Sequence, residues 1–181
     1  MDDADDKTLV SRSLNGDPRA FETLIRLHEK VLYNVALRMT NNAEDARDMT
    51  QTTFLKAYRG LRGFDPQHKF FSWVYRILIN ETLNHLKRRR PQQEVSEFIA
   101  SSDSGPEAQA ECHQIRQRVH EALLDLPPDQ RQLVVLRHLL DMPYSEIQNL
   151  VGLPEKTIKW RLYEARQALG RALRKRGLEG L

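Results

Sequence analysis

Two amphipathic segments meet at Gly152-Leu-Pro154, and a three-residue break leaves room only for a tight turn between helices. The first segment is Tyr144-Ser-Glu-Ile-Gln-Asn-Leu-Val151. Glycine suits the left-handed position just past a helix end, and proline is tolerated in the first turn of the next helix. In the second segment Ile158, Leu162, Ala165, Leu169 and Leu173 follow at spacings of four, three, four and four, which puts them on one helical face. The pattern is that of a helix-turn-helix.

The opposite face of the second helix carries Lys156, Trp160, Tyr163 and Gln167, flanked by Lys159 and Glu164. Long polar and aromatic side chains suit a helix laid in the major groove, and an ordinary solvated face has the same pattern. Charge favours the first reading. From Glu155 to Arg176 there are eight Lys or Arg against two acids, enough for attraction to phosphates to contribute strongly to binding.

That basic character is local, because the 181 residues carry a net charge of only +3. The start is acidic (Asp2, Asp3, Asp5, Asp6) and lacks the positive, then apolar, order of a signal peptide. No stretch approaches the roughly 20 apolar residues of a membrane span. A single cysteine, Cys112, cannot form an internal disulfide, which suits a reducing compartment. The expected location is the cytoplasm, with no membrane insertion.

Glycine and proline fall between periodic segments, and β-branched alternation is absent, so the expected fold is all-α. A first helix runs from near Asp6 to before Asn15-Gly16, with Leu9, Val10 and Leu14 inward. Asp17-Pro18 opens the second, whose face is Phe21, Leu24, Ile25, Leu32, Val35, Ala36 and Met39. After Asn41-Asn42 a third helix, about 43–58, turns Ala46, Met49, Thr50, Thr53, Phe54 and Ala57 inward. Residues 60–69 read as a loop. A fourth helix over 70–89 is expected to bury Phe70, Trp73, Val74, Ile77, Leu78 and Leu86. It leaves Phe71, Tyr75, Arg76, Asn80, Asn84, Lys87 and Arg88 on an outer or side face.

Residues 91–113 contain no Lys or Arg and five acids, and include Ala100-Ser-Ser-Asp-Ser-Gly-Pro106. This composition is that of a flexible acidic linker. Residues 91–106, fully extended, span roughly 53 Å, or about 15 base pairs, so two small DNA-contacting domains can sit more than one helical turn apart. The expected organisation is two small helical domains, 1–90 and 114–181, the second containing the helix-turn-helix. Its earlier helices are marked by Ile115, Val119, Ala122, Leu123 and Leu126, then by a segment from Gln132 to Leu140 after Leu126-Pro-Pro128.

Three clusters invite chemical readings. Glu44, Asp45 and Asp48 have a spacing that a divalent metal could use, but Arg47 stands among them, so a solvated or partner-docking face is favoured. Aromatics interleaved with amides in the fourth helix, ending in Lys87-Arg-Arg-Arg90, fit single-stranded bases and backbone, but on the residues alone core packing with a cationic helix end is favoured. Cys112, His113 and His120 match no zinc spacing. No metal, cofactor or catalytic residue is expected.

Four pieces in order resemble a known family: Asp17-Pro-Arg-Ala-Phe21; Ala46-Arg-Asp-Met-Thr-Gln-Thr-Thr-Phe-Leu-Lys-Ala-Tyr58; Phe70-Phe-Ser-Trp-Val-Tyr-Arg-Ile-Leu-Ile-Asn80; and Leu126-Pro-Pro-Asp-Gln-Arg131 with the helix-turn-helix through Thr157-Ile-Lys-Trp-Arg161. Together they resemble the bacterial extracytoplasmic-function (ECF) sigma factors, over nearly the whole chain outside the linker. The resemblance implies a non-enzymatic initiation factor whose partners are core RNA polymerase (largest-subunit clamp and flap), promoter DNA and an anti-sigma factor. It implies polymerase docking through Asp48, Gln51 and Phe54. Minus-ten recognition would fall to Arg62, Phe64, Lys69, Tyr75, Asn80, Asn84 and Arg88, with a base flipped from the non-template strand. Minus-thirty-five recognition would fall to Lys156, Thr157, Lys159, Trp160, Tyr163 and Glu164.

The chain departs from the family pattern at Arg47, where an acid is usual, at Trp160 and Glu164, and at Pro143, which replaces a Ser cap. Trp160 and Glu164 imply an unusual upstream element, since an acid accepts from cytosine. Two rival functions remain open on sequence: a dimeric helix-turn-helix regulator with an effector-binding amino-terminal domain, and a magnesium-dependent nuclease using Glu44, Asp45 and Asp48.

Overall fold

The computed structural model describes residues 3–88 and 106–178, with side chains described over 5–88 and 114–178. The chain divides into two compact units, residues 1–94 and 95–181. All regular elements among the described residues are helical.

The first unit holds α1 (Asp3–Leu14), α2 (Pro18–Thr40), α3 (Ala43–Gly60), a 3₁₀ turn (Leu61–Gly63) and α4 (Phe70–Arg88). Local chemistry sets the joints. Asp17 caps α2 by accepting from the Arg19 N–H at 3.0 Å, and Arg12 at the end of α1 reaches the same carboxylate at 2.7 Å. The Arg12 hydrogen bond holds the Asp17 carboxyl below its ordinary value. Asn41 ends α2 in the left-handed conformation (φ 56°), which asparagine tolerates, and Asn42 caps α3 by accepting from the Asp45 N–H at 2.9 Å. The two asparagines that interrupt the periodicity are therefore a stop followed by a start.

Helix α2 packs against α1, α3 and α4, and α3 packs against α4. The core is Leu24, Leu32, Val35, Ala36 and Met39 of α2 with Ala46 and Ala57 of α3 and Val74, Tyr75 and Leu78 of α4. Thr50 and Thr53 enter it because their hydroxyls donate back to the Ala46 and Met49 carbonyls, each at 2.7 Å, which offsets the cost of burying them. Lys56 to Glu81 at 2.6 Å and Asp45 to His85 at 3.2 Å tie α3 to α4.

Several side chains face other ways than their spacing predicts. Leu14 is exposed and Leu9 half-buried, because α1 turns Asp6 and Val10 inward instead. In α4 the inward stripe is Phe70, Val74, Tyr75, Leu78, Ile79 and Thr82, rotated from the expected one, and Trp73, Ile77 and Leu86 are half-buried at its border.

The second unit holds α5 (Pro106–Leu124), α6 (Pro128–Val134), a π-helical turn (Val135–Leu139), α7 (Tyr144–Val151) and α8 (Glu155–Lys175). Helix α5 starts at Pro106, inside the stretch read as linker; residues 91–105, and the side chains of Cys112 and His113, lie outside the described residues. Ile115, expected inward, is exposed, while Ala122, Leu123 and Leu126 are buried.

Arg131 closes the α5 end. Its Nε donates to the Leu123 carbonyl at 3.0 Å, and Nη2 donates to those of Leu124 at 2.9 Å and Leu126 at 3.1 Å. The first two are helix-end carbonyls with no partner inside the helix, and the third belongs to the turn that follows it. At the same end of α5 Arg176 reaches Asp125 at 2.7 Å and Glu121 at 3.6 Å, which joins the end of α8 to α5.

Candidate nucleic-acid and partner interfaces

The helix-turn-helix forms as its residues demand. Gly152 takes φ 71° and its N–H donates to the Gln148 carbonyl at 2.9 Å, while Pro143, lacking a polar side chain, gives α7 no side-chain cap. Ile147 and Leu150 of α7 and Ile158, Leu162 and Ala165 of α8 are buried. Ala172 replaces Leu169 and Leu173 as the buried residue of the last turns, and those leucines are half-buried.

Burying that stripe turns the other face of α8 to solvent. Lys156, Lys159, Trp160, Tyr163 and Gln167 are all exposed, and Thr157 and Glu164 are half-buried beside them. Trp160 and Tyr163 each stand 58% exposed, so two aromatic rings three residues apart lie uncovered on one basic helix. A large exposed aromatic pair costs solvation and marks a contact surface.

Lys159 is not a loose cation. Its Nζ sits 2.5 Å from Glu155 Oε1 and 5.1 Å from the centre of the Tyr144 ring, and the Glu155 hydrogen bond raises its pKa. The same ring is approached by the Arg137 guanidinium at 5.4 Å. Sequence reasoning passed over Tyr144 and Arg137, although the Glu155–Lys159 spacing was available as an i,i+4 pair.

A polar stripe runs along α4. Arg76, Asn80, Asn84 and Arg88 recur every four residues and are all exposed, and Arg62 and Lys69 are exposed in the segment before the helix. Two residues expected among these are elsewhere. Tyr75 is fully buried, and desolvation pushes its hydroxyl pKa far above the ordinary value, so the ring offers no face to a base. Phe64 is also buried: its ring lies edge-on to Phe70 at 5.9 Å and tilted against Trp73 at 5.2 Å. Both rings hold the start of α4 in place and leave its polar stripe as the accessible surface.

On α3, Asp48 and Gln51 are exposed as expected, with Arg47 beside them, but Phe54 is buried and offers little more than an edge. That edge lines a groove of about 410 Å³ between α2 and α3, formed by Phe21, Ile25, Phe54, Leu55 and Tyr58 and rimmed by Glu29 and Gln51. Tyr58 stacks edge-on against Phe21 at 5.0 Å, and both Leu55 and Tyr58 are more than half exposed. Such a furrow fits the apolar face of a partner helix. Leu55 was missed because an exposed leucine breaks no sequence rule.

The carboxylates considered for a metal do not converge: Asp45 lies against His85, while Glu44 and Asp48 are exposed. Among the described residues no three His, Cys, Asp or Glu side chains are grouped to hold a metal ion. No described helix is long and apolar enough to cross a membrane.

Comparison with known proteins places both units. Residues 24–92 match the model of sigma-70 region 2, and residues 116–169 match that of sigma-70 region 4. The RNA polymerase sigma-H factor of Pseudomonas aeruginosa is 33% identical over 180 residues, covering 93% of each chain. The ECF RNA polymerase sigma-E factor of Escherichia coli K12 is 32% identical over 176 residues, covering 91% of this chain and 92% of that one. Among solved structures, CnrH in complex with the cytosolic domain of CnrY superposes with a TM-score of 0.73 at 27% identity, over 94% of this chain and 98% of that one. The sigma factor RpoE of Bartonella quintana shares the fold, with a TM-score of 0.71 at 23% identity over 85% of this chain and 96% of that one. Two region models in the expected order, with relatives matched nearly end to end, establish that the chain belongs to the sigma-70 family of non-enzymatic transcription initiation factors and, within it, to the ECF group.

Proposed function

We propose that this chain is an alternative sigma factor, which binds core RNA polymerase, directs it to promoters bearing two spaced elements, and opens the duplex at the minus-ten element. The observation that carries this reading is the presence in one chain of a region-two unit and a region-four unit, matched over 24–92 and 116–169. A stand-alone regulator with an effector domain leaves the region-two match unexplained.

In this reading Asp48 and Gln51, over the buried edge of Phe54, dock on the clamp of the largest polymerase subunit, and the second unit meets the flap. Arg62, Lys69, Asn80, Asn84 and Arg88 face the non-template strand of the minus-ten element, where cations follow the backbone and amides bond an unpaired base. Flipping a base costs a few kcal/mol, which such contacts offset. Phe64 and Tyr75 contribute by fixing α4. Lys156, Thr157, Lys159, Trp160, Tyr163 and Glu164 read the minus-thirty-five element in the major groove.

The reading places the protein in the cytoplasm, where core polymerase is. CnrH was solved with the cytosolic domain of CnrY bound to it, and the Bartonella quintana RpoE with the anti-sigma factor NepR, which supports an anti-sigma factor as a further partner here. The apolar groove between α2 and α3 suits a helix of such a partner. Permanganate footprinting of promoter thymines, with core polymerase and this chain together, tests the assignment. The expected result is reactivity at the minus-ten element that requires both proteins and is lost in Asn80→Ala while polymerase binding is retained. Full opening in Asn80→Ala sinks that residue's role, and no opening with the wild-type chain sinks the reading.

A further inference from the structure

The ring of Tyr144 joins three successive elements of the second unit. It begins α7, half-buried, directly after Pro143, which supplies no side-chain cap. From the π-helical turn before it comes Arg137, whose guanidinium lies 5.4 Å from the ring centre and is itself held by the Asp141 carboxylate at 3.1 Å and the Met142 carbonyl at 2.9 Å. From α8 comes Lys159, its ammonium 5.1 Å from the same ring centre and 2.5 Å from Glu155. Both cations are within the range over which an aromatic ring attracts charge.

Among the residues on the outer face of α8, Lys159 stands out for this confinement. A lysine on a solvated helix carries a flexible four-carbon stem and disperses its charge over many rotamers. Fixing it before DNA arrives removes part of the ordering cost of binding, which is the usual source of gain from preorganisation. Glu155 also offsets the charge of Lys159. The pair therefore adds less to sequence-independent phosphate attraction than a free lysine would, and leaves the ammonium as a directed donor toward base edges.

We propose that Tyr144 is a positioning residue for promoter specificity: its ring, with Glu155, holds Lys159 in the orientation that reads one base pair of the minus-thirty-five element. This rests on the sigma-factor reading. Tyr144 itself need not touch DNA. The aromatic face carries the effect, so phenylalanine can replace tyrosine and an aliphatic residue cannot.

The test is transcription by the holoenzyme from promoters carrying each of the four base pairs at each minus-thirty-five position. Wild-type chain is compared with Tyr144→Leu, Tyr144→Phe, Glu155→Gln, Lys159→Ala and the double variant Tyr144→Leu/Lys159→Ala. Lys159→Ala is expected to relax a preference of roughly fivefold or more at one position. Tyr144→Leu should relax the preference at that same position, the double variant should be no worse there than Lys159→Ala, and Tyr144→Phe should keep the wild-type profile. Thermal unfolding of Tyr144→Leu identifies any loss of folding. Glu155→Gln, a surface change, supplies an independent arm and should weaken the same preference. A common fall on all promoters with every preference intact, multiplying effects in the double variant, or an unchanged profile in Glu155→Gln would each overturn the proposal. Absence of any wild-type transcript would instead overturn the sigma reading along with it.

Discussion

The Nε2 of His28 lies 3.0 Å from both carboxylate oxygens of Asp6, inside the amino-terminal unit. The imidazole is 1% exposed, and its ring also sits 5.7 Å from that of Phe70 and 5.6 Å from that of Phe71. One buried polar contact thus docks α1 on α2 beside the start of α4. Removing the carboxylate leaves the imidazole buried without it, at a cost of about 1 to 3 kcal/mol. Urea unfolding of Asp6→Ala should show that loss, with a smaller loss in Asp6→Asn, which keeps one acceptor. Equal stability of Asp6→Ala and wild type would mean that the pair does not anchor α1.

Arg131 predicts a second, independent loss. Burial pushes its guanidinium pKa down to about 10, so the group stays charged near neutral pH and keeps its three carbonyl bonds. Arg131→Met preserves the apolar stem and strips the cap from α5, which should destabilise the second unit by about 2 to 4 kcal/mol. Lysine should rescue little, because an ammonium cannot reproduce the planar fork. Calorimetry of the whole chain checks this, since the transition of the first unit should not move.

His138 gives the second unit a pH dependence of known sign. Burial, then the charges of Arg166 and Arg137, hold the imidazole below its ordinary value of 6.5, against a weaker upward pull from Asp141. The unfolded chain therefore takes up this proton first as pH falls. Stability from this group is fully present above 6.5 and is lost as pH drops through the lower folded value. The ring is largely at the surface, so the effect is small. Between about pH 7 and about pH 5 the melting temperature of the second unit should fall less in His138→Gln than in wild type. An identical slope in both would assign the dependence to other groups.

How much of this was readable depends on how strongly each segment is patterned. The helix-turn-helix was legible because Gly152 and Pro154 break a clean helical period, and Asp17 announced a cap and Asn41-Asn42 a break, both of which the structure contains. Helix α4 was not, because residues 70–79 are apolar on nearly every side, and periodicity cannot choose a stripe when Phe71, Trp73, Tyr75, Ile77 and Ile79 compete for it. Tyr75 fell on the wrong face for that reason. The Asp6–His28 contact spans 22 residues, and no local rule links an acidic start to a histidine in the next helix. Helix α5 begins at Pro106, within a stretch whose Ser, Gly and acid content reads as linker. The cap made by Arg131 depends on a chain reversal that composition does not encode.

Trp160 carries a prediction about base chemistry. Its exposed indole, with Tyr163 one turn on, offers apolar surface in a helix whose other outward groups are mostly polar. In the major groove the apolar feature of a base pair is the thymine methyl. Trp160→Ala should therefore change the preference at one minus-thirty-five base pair by about 1 to 3 kcal/mol. If that pair contains thymine, replacing it with uracil should weaken wild-type binding and leave Trp160→Ala unaffected. An unchanged preference profile in Trp160→Ala would remove the residue from base readout.

In vitro transcription with purified core RNA polymerase on a genomic promoter library, with and without this chain, decides whether the chain acts as a sigma factor. Start sites should appear only when the chain is added and should share two elements at fixed spacing, one for each unit. Sequence-specific DNA binding by the chain in the absence of core enzyme, together with no new start sites in its presence, would contradict that role.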